Sequence, residues 1–307
     1  AAVLNARIRR NWLSTGLPVG VVGPKMDLTY DAAFLGDEPA VLADLASGKH
    51  KFAAKLKKAK RPMIIIGMGA LARADGAAVL GQSRDIAETY GVVTKTWNGF
   101  NILHSAASRV AGLDMGFVPE KSGLDVEAMC KAAEAGKLDL VWLLGADEAD
   151  LPRLKNAFIV YQGHHGDNGA HHADVVLPGA AYTEKDGIYL NTEGRVQYAN
   201  RAAFPPGEAR EDWAILRAFA GVMKINFGFD SLDELRELLF RAVPHFADRD
   251  MISPTKWVKF GSRAKVKPVK FTTAIDNFYM TCAISRASET MAECMRANGT
   301  DRAEAAE

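Results

Sequence analysis

The feature of this sequence that most constrains its fold is a series of short, continuously apolar segments. They predict strands, because they are rich in β-branched residues and several of them end at Gly. Strands without inside–outside alternation belong to parallel sheets that helices cover on both faces. The predicted strands span 19–23, 61–67, 92–96, 138–147, 158–161 and 173–177.

The segments between these strands carry apolar residues at helical spacing. Helices are predicted over 39–59, 75–90 and 125–136, with Asp75 as the N-cap of the second. Strands that alternate with helices form right-handed βαβ units. The sequence therefore predicts an α/β fold whose open, mostly parallel sheet spans 61–178.

The chain changes character after Pro178. Residues 188–198 contain two short extended pieces around 192–194, which predicts a β-hairpin. Helices are predicted over 213–223 and 232–242, and beyond Asp250 the sequence is basic and irregular to about Lys270. A small hairpin and a helical C-terminal part are therefore expected beside the sheet.

Composition excludes several functional classes. The 307 residues include 38 Lys and Arg against 37 Asp and Glu, so the net charge gives no electrostatic case for a nucleic-acid or anionic-membrane partner. No apolar run approaches the roughly 18 residues of a membrane span, and no secretory signal is visible. Cys130, Cys282 and Cys294 are too scattered for a disulfide framework, so each is expected to be a small core residue. A reducing, intracellular compartment is predicted.

The first candidate site is the GMGALA segment at 67–72, directly after a predicted strand. Gly67 and Gly69 would let backbone N–H groups approach phosphate oxygens, close to the dinucleotide-binding fingerprint. Ala72 stands in the third glycine place, and the expected acidic residue would be Glu88, late in a helix. A glycine-rich turn that serves tight packing is the alternative.

The second candidate is a histidine cluster between 163 and 174. His164, His165, His171 and His172 carry imidazoles that zinc or another divalent ion accepts as ligands. Adjacent residues of an extended segment point to opposite faces, so each pair would offer one ligand at most. A polar loop at the carboxyl end of the parallel sheet is the alternative.

The third candidate lies in the predicted hairpin. Glu193 and Arg195 offer a carboxylate for acid–base chemistry and a guanidinium for clamping an anion. Asn191 and Gly194 also suit a tight turn, so a structural hairpin that a local Glu–Arg pair stabilises is the alternative reading.

Residues 173–197 read ADVVLPGAAYTEKDGIYLNTEGRVQ, which resembles a signature of the molybdopterin oxidoreductase superfamily. In that superfamily the signature lies beside the dinucleotide form of the pterin cofactor. The longer string from Tyr161 onward is similar to the family of the large iron–sulfur subunit of respiratory complex I, the G subunit of NADH:quinone oxidoreductase. NARIRRNWL near the start and LLGADEADL at 143–151 extend the resemblance over essentially the whole chain.

This resemblance implies a Rossmann-like, open, mostly parallel sheet of the molybdopterin oxidoreductase type. Residues 1–58 would be the C-terminal end of one α/β unit, 59–250 the Rossmann-like domain, and 251–307 an irregular basic segment and tail. Gly67, Gly69, Glu193 and Arg195 would line a vestigial cofactor cleft, and no catalytic residue is expected.

The family implies 2Fe–2S and 4Fe–4S clusters in an N-terminal region whose cysteine runs are absent here. The expected function is a non-catalytic structural and assembly region of the electron-transferring subunit, without a cofactor of its own. A fragment of an active molybdopterin-dependent oxidoreductase and an independent nucleotide- or metal-binding module are the alternatives.

The expected partners are other peripheral-arm subunits of complex I. The expected location is the cytoplasmic side of a bacterial inner membrane or the mitochondrial matrix side, with membrane contact only through the complex.

Overall fold

The computed structural model describes residues 1–273, 275 and 277–298. The chain forms two compact units. Unit 1 comprises Ala1–Ala106 and Pro254–Asp276, and unit 2 comprises Ala107–Ser253 and Asn277–Glu307. Residues 299–307 of the predicted tail lie outside the described residues.

Unit 1 is built from short helices and two pairs of parallel strands. Strand β1 pairs with β2, and β3 pairs with β4. The helices are α1 (Ala2–Thr15), α2 (Ala40–Ala46), α3 (Ala53–Lys58), α4 (Met68–Leu71) and α5 (Gly76–Tyr90). The strands are β1 (Gly20–Val22), β2 (Ala33–Gly36), β3 (Ile64–Gly67) and β4 (Phe100–Leu103).

The core of unit 1 joins residues that are far apart in the chain. Its buried side chains come from α2, the N-cap of α3, α5 and the segment from Pro254 onward; they are Leu42, Leu45, Phe52, Val79, Ile86 and Phe271. The backbone N–H of Phe271 donates to the Asp37 carbonyl at 2.9 Å. The stretch that contains Phe271 is thus an integral part of this core.

Unit 2 contains a parallel sheet, an antiparallel hairpin and the remaining helices. The sheet has the order β5-β6-β7, and β8 and β9 form the hairpin. The strands are β5 (Leu140–Leu144), β6 (Phe158–Gly163), β7 (Val175–Pro178), β8 (Gly187–Leu190) and β9 (Val196–Ala199). The helices are α6 (Arg109–Asp114), α7 (Val126–Glu134), α8 (Asn168–His172), α9 (Asp212–Val222), α10 (Leu232–Ala242), α11 (Ala283–Arg286) and α12 (Glu289–Asn298), with 3₁₀ turns at Leu151–Leu154 and Pro244–Ala247.

Two apolar clusters stabilise unit 2. One lies between the parallel sheet and α7, and it buries Cys130, Ala133, Leu143, Leu151, Leu154, Ile159 and Tyr161. The other lies between the hairpin and α10, and it buries Ala111, Leu190, Val196 and Phe246. The prediction that Cys130 is a small core residue is confirmed, whereas Cys282 is exposed and Cys294 is half-buried.

Three predictions from periodicity are wrong. Residues 92–96 form no strand, because the Thr94 hydroxyl accepts hydrogen bonds from the N–H groups of Thr96 and Trp97 and turns the chain. The strand in this part of the chain is β4, which begins later, at Phe100. The helix predicted over 39–59 is interrupted near Gly48, whose φ of 76° is left-handed. The single sheet predicted over 61–178 is divided, since β3 and β4 form one sheet and β5, β6 and β7 another.

Candidate functional site

The carboxyl edge of the parallel sheet in unit 2 is the candidate site. Ligands of open α/β sheets bind at this edge, where the loops after successive strands converge. Asp147 follows β5, His164 follows β6 and Gly179 follows β7. The edge therefore collects polar side chains from several loops.

A partly buried ion cluster occupies this edge. The Arg286 guanidinium, from the last residue of α11, lies between two carboxylates of the sheet loops. Its Nε donates to Asp167 Oδ2 at 2.6 Å, and its Nη2 lies 2.9 Å from Asp147 Oδ2. The Asp147 side chain is 7% exposed and that of Asp167 is 14% exposed.

The pKa values of the two carboxyl groups are shifted in opposite directions. Burial raises the pKa of Asp147, and the neighbouring Asp167 adds to the increase. Burial also opposes ionisation of Asp167, but hydrogen bonds from Arg286 and from the Asn168 backbone N–H lower its pKa overall. Asp147 is therefore protonated at higher pH than Asp167, which keeps the charge that Arg286 neutralises.

A second polar network lies beside the cluster. Gln162 of β6 is fully buried, and its amide accepts from Trp142 Nε1 at 3.2 Å and donates to Asp212 Oδ1 at 2.9 Å. Asp212 also pairs with Lys185. Burial and the neighbouring His165 lower the pKa of His164. The buried polar groups of Gln162 thus find partners within the chain.

The predicted histidine cluster adopts a different geometry from the one expected. The chain bends after β6, so the rings of His164 and His165 meet edge to face with centroids 4.9 Å apart. His171 and His172 lie in α8, and His172 Nδ1 lies 2.9 Å from the Asn168 carbonyl oxygen. Among the described residues no group of three or more metal-ligating side chains is positioned to hold an ion. A metal role for these histidines stays a prediction.

Gly67 and Gly69 belong to unit 1, at the junction of β3 and the one-turn helix α4. A Cβ on Gly67 would meet no atom within 4 Å, and its φ is −79°, so neither packing nor conformation requires glycine there. Glu88 is the acidic residue expected for the dinucleotide-binding fingerprint. Its Oε1 lies 3.5 Å from Arg84 Nε and accepts a hydrogen bond from Trp257 Nε1. A phosphate role for the two glycines stays a prediction.

The structure brings Glu193 and Arg195 together in unit 2. The Arg195 Nε donates to Glu193 Oε2 at 3.1 Å, and its Nη1 donates to the Asp250 carbonyl at 2.7 Å. Asn191 Oδ1 accepts from the N–H groups of both residues, and Gly194 turns the chain with a φ of 81°. This is the local pairing that the structural reading of the hairpin expects.

Comparison with known proteins identifies the class first. The profile of the molybdopterin oxidoreductase family matches residues 1–222, so the chain belongs to that family. The profile of the C-terminal part of the G subunit of NADH-ubiquinone oxidoreductase matches residues 252–294.

The similar proteins are subunits of one respiratory enzyme. The chain is 43% identical over 297 residues to the G subunit of NADH-quinone oxidoreductase from Rickettsia felis, with 97% of this chain and 42% of the relative covered. It is 42% identical over 298 residues to the mitochondrial NADH dehydrogenase (ubiquinone) iron-sulfur protein 1 of Solanum tuberosum, with 96% and 39% covered. It is also 41% identical to the NADH-ubiquinone oxidoreductase 75 kDa subunit of Reclinomonas americana, with 96% and 42% covered. The resemblance to this large iron–sulfur subunit family is confirmed, and the chain spans about two fifths of these relatives' length.

The residues at the sheet edge do not fit the dinucleotide cofactor that the family implies. Its phosphates are anions and need cationic groups or N–H donors. The described edge presents the carboxylates of Asp147, Asp167 and Asp212, and the neighbouring cations Arg286 and Lys185 already pair with them. These cations therefore neutralise carboxylates of the chain itself and do not offer free charge to a phosphate.

Sequence reasoning missed this cluster. Asp147 is the last residue of the predicted strand 138–147, and this position at the carboxyl end of a strand was a usable signal. Arg286 lies 119 residues beyond Asp167, and no local pattern marks it.

No helix in the described part of the chain is long and apolar enough to cross a membrane.

Proposed function

We propose that this chain is a non-catalytic structural and assembly region of the iron–sulfur subunit of an NADH:quinone oxidoreductase. The observation that carries the proposal is 43% identity to the G subunit of such an enzyme over 97% of the chain. Electron flow from NADH to quinone would depend on this region for the shape of the subunit. The iron–sulfur clusters would lie in the remainder of the subunit.

The ion cluster at the sheet edge supports a structural role. Arg286, from the region that the second, C-terminal profile matches, neutralises the carboxylates at the edge where related folds bind ligands. A guanidinium between two shielded carboxylates ties the C-terminal helices to the sheet. Removing it would leave Asp147 and Asp167 without their cation, which costs stability.

The finer assignments are part of the same proposal. The β5-β6-β7 sheet would be the Rossmann-like part of the fold, within a region that spans 59–250. Gly67 and Gly69 of unit 1, and independently Glu193 and Arg195 of unit 2, would be remnants of cofactor-binding segments. The partners would be other peripheral-arm subunits, on the cytoplasmic side of a bacterial membrane or on the matrix side of a mitochondrial one.

The test replaces Arg286 by Ala in the complete subunit that contains this chain, produced in its native host. A structural role predicts that the amount of assembled complex falls severalfold, while NADH:quinone turnover per assembled complex is unchanged. Blue-native electrophoresis measures the first quantity and an NADH oxidation assay on purified complex the second. Arg217→Ala is the matched control, because Arg217 is an exposed arginine whose pair with Asp230 is also exposed.

Two results would contradict this function. Turnover per complex that falls at unchanged complex content would assign Arg286 to the reaction. Stoichiometric molybdenum in the purified subunit, measured by elemental analysis, would favour an active molybdopterin-dependent oxidoreductase.

A further inference from the structure

The near-zero net charge of the chain conceals two oppositely charged units. The residues of unit 1 include 20 Lys and Arg against 9 Asp and Glu, whereas those of unit 2 include 18 against 28. A partner that approaches one unit meets the charge of that unit, because salt screens charges more than about 10 Å away. Unit 1 is therefore a basic surface in its own right.

The positive charge of unit 1 is densest in residues 49–61, the basic segment, which has the sequence KHKFAAKLKKAKR and contains no acidic residue. All seven cationic residues are exposed; they are Lys49, Lys51, Lys55, Lys57, Lys58, Lys60 and Arg61. Within the described part of the chain, none of the seven forms an ion pair with a carboxylate. Lys270, in the other basic stretch of unit 1, pairs with Asp37 and Glu38.

Crowding of like charges costs stability, so a compensating anion would stabilise a segment of this charge density. The backbone of the segment is also anchored. Phe52 and Ala53 are buried in the unit 1 core, and the Ala53 N–H donates to the His50 carbonyl at 2.9 Å. An anchored backbone loses less conformational entropy on binding a partner than a free segment does.

The composition of the basic segment favours a carboxylate-rich partner over nucleic acid or membrane. Single-stranded nucleic acids bind to exposed aromatic residues and to arginine forks, but Phe52, the segment's aromatic residue, is buried. Membrane-surface helices insert an apolar face, and the apolar face of this segment already packs inside unit 1. Lysine ammonium groups suit exposed, salt-sensitive pairing with Asp and Glu.

A cavity adjoins the basic segment. It has a volume of about 330 Å³, and its walls include Trp12, Leu17, Pro18, Val19, Asp31 and Lys55. Lys55 belongs to both the cavity wall and the basic segment. Interfaces concentrate their binding energy where an aromatic or apolar anchor fills such a pocket inside a charged rim.

We propose that the basic segment and this cavity together bind an acidic polypeptide segment of another protein, with one apolar or aromatic side chain of that segment inserted in the cavity. The lysines attract and orient the acidic residues, and Trp12, Leu17 and Val19 contact the anchor. The inference rests on unit 1 alone and does not depend on the proposed function.

The test measures binding of two fluorescein-labelled peptides, EEEEWEEEE and EEEEAEEEE, to the whole chain by fluorescence anisotropy at about 50 mM salt. The Trp peptide is expected to bind about tenfold more tightly, which corresponds to about 1.4 kcal/mol for a partly buried anchor. The triple variant Lys57→Glu, Lys58→Glu and Lys60→Glu is expected to weaken binding of both peptides at least about tenfold. Asp31→Asn is expected to strengthen binding, because it removes a carboxylate from the cavity wall.

The matched control is Lys121→Glu, Lys137→Glu and Lys155→Glu, three exposed lysines of unit 2. It changes the net charge by the same amount and should leave both affinities within about twofold. Thermal melts verify that each variant folds. If the triple variant does not fold, the two-peptide comparison and Asp31→Asn still test the proposal. Equal affinity for the two peptides, equal loss in the control, or tighter lysine-dependent binding of poly-uridylate or phosphatidylserine vesicles would overturn the proposal.

Discussion

Both units contain short parallel strands, but they differ in net charge and in whether their charged side chains are neutralised within the unit. Unit 1 is basic, and no carboxylate in the described part of the chain pairs with the cations of its basic segment, whereas unit 2 is acidic and neutralises Asp147 and Asp167 internally with Arg286. The charge balance of a whole chain therefore does not describe the surface that a partner meets. An argument that excludes partners from net charge holds only when the charge is evenly distributed.

The units also differ in how they use the C-terminal part of the chain. In unit 1, Phe271 completes the apolar core, and the Arg73 guanidinium donates to the Val269 carbonyl at 2.8 Å. In unit 2, the C-terminal part contributes a half-buried charge, Arg286, and no buried core residue among those described. The same region of sequence thus stabilises one unit by apolar packing and the other by electrostatics.

The largest expected effect tests whether the hairpin cluster of unit 2 is a separate core. Phe246 is 1% exposed within it, so Phe246→Ala should reduce the free energy of unfolding by about 3 to 5 kcal/mol. Urea denaturation measures the loss, and hydrogen exchange should locate it in β8, β9 and α10. Phe117→Ala, at a side chain that is 83% exposed, is the control and should change stability by less than about 0.5 kcal/mol. Equal loss of protection in α5 of unit 1 would contradict separate cores.

An intermediate effect tests the packing of the chain around Ser262 against α5 in unit 1. A Cβ on Gly81 of α5 would lie 2.2 Å from the Ser262 carbonyl oxygen, so the backbone must move. Gly81→Ala should therefore cost about 1 to 3 kcal/mol of unfolding free energy in a thermal or urea experiment. Gly112→Ala in α6 of unit 2 is the matched control, since its Cβ would meet nothing within 4 Å. The control should gain about 0.5 to 1 kcal/mol, and a loss in both variants would contradict the close approach.

The smallest effect compares the pH dependence of a carboxylate in each unit. Hydrogen bonding to Arg73 lowers the pKa of Asp75 to about 2, from an unfolded value of about 3.9. Ionised Asp75 therefore stabilises unit 1 above about pH 4, and this stabilisation is lost as the pH falls toward 2. The stability difference between the wild type and Asp75→Asn, measured in urea at several pH values, should shrink over that range.

Asp147 should behave with the opposite sign. Because burial raises its pKa, its contribution is present at low pH and is lost as the pH rises through its folded pKa. The stability of the wild type relative to Asp147→Asn should therefore fall as the pH rises. Parallel pH trends for the two variants would contradict the assignment of opposite shifts.

Local signals predicted helix ends well where residues close in sequence make the hydrogen bonds, or adopt the backbone conformation, that end the helix. Helix α10 spans the predicted 232–242, because Ser231 and Glu234 form a capping box at its start. Helix α5 ends at Tyr90, where Gly91 adopts a φ of 63°. Asp75 is the N-cap residue of α5, as predicted, but its side chain makes no capping hydrogen bond, because the carboxylate accepts from Arg73 and from the Lys267 N–H instead. That outcome depends on a residue 192 positions away.

The sequence by itself determined the α/β character, most helix and strand positions, and the family. Only the tertiary structure decided that the strands divide among separate sheets, that Phe271 joins Phe52 in one core, and that Arg286 neutralises Asp147 and Asp167. Periodicity and capping report interactions within a few residues, whereas the paired strands are tens of positions apart and the contacts of Phe271 and Arg286 join residues more than a hundred positions apart. Their partners are selected by the burial and charge neutralisation of the whole fold, which no local window contains.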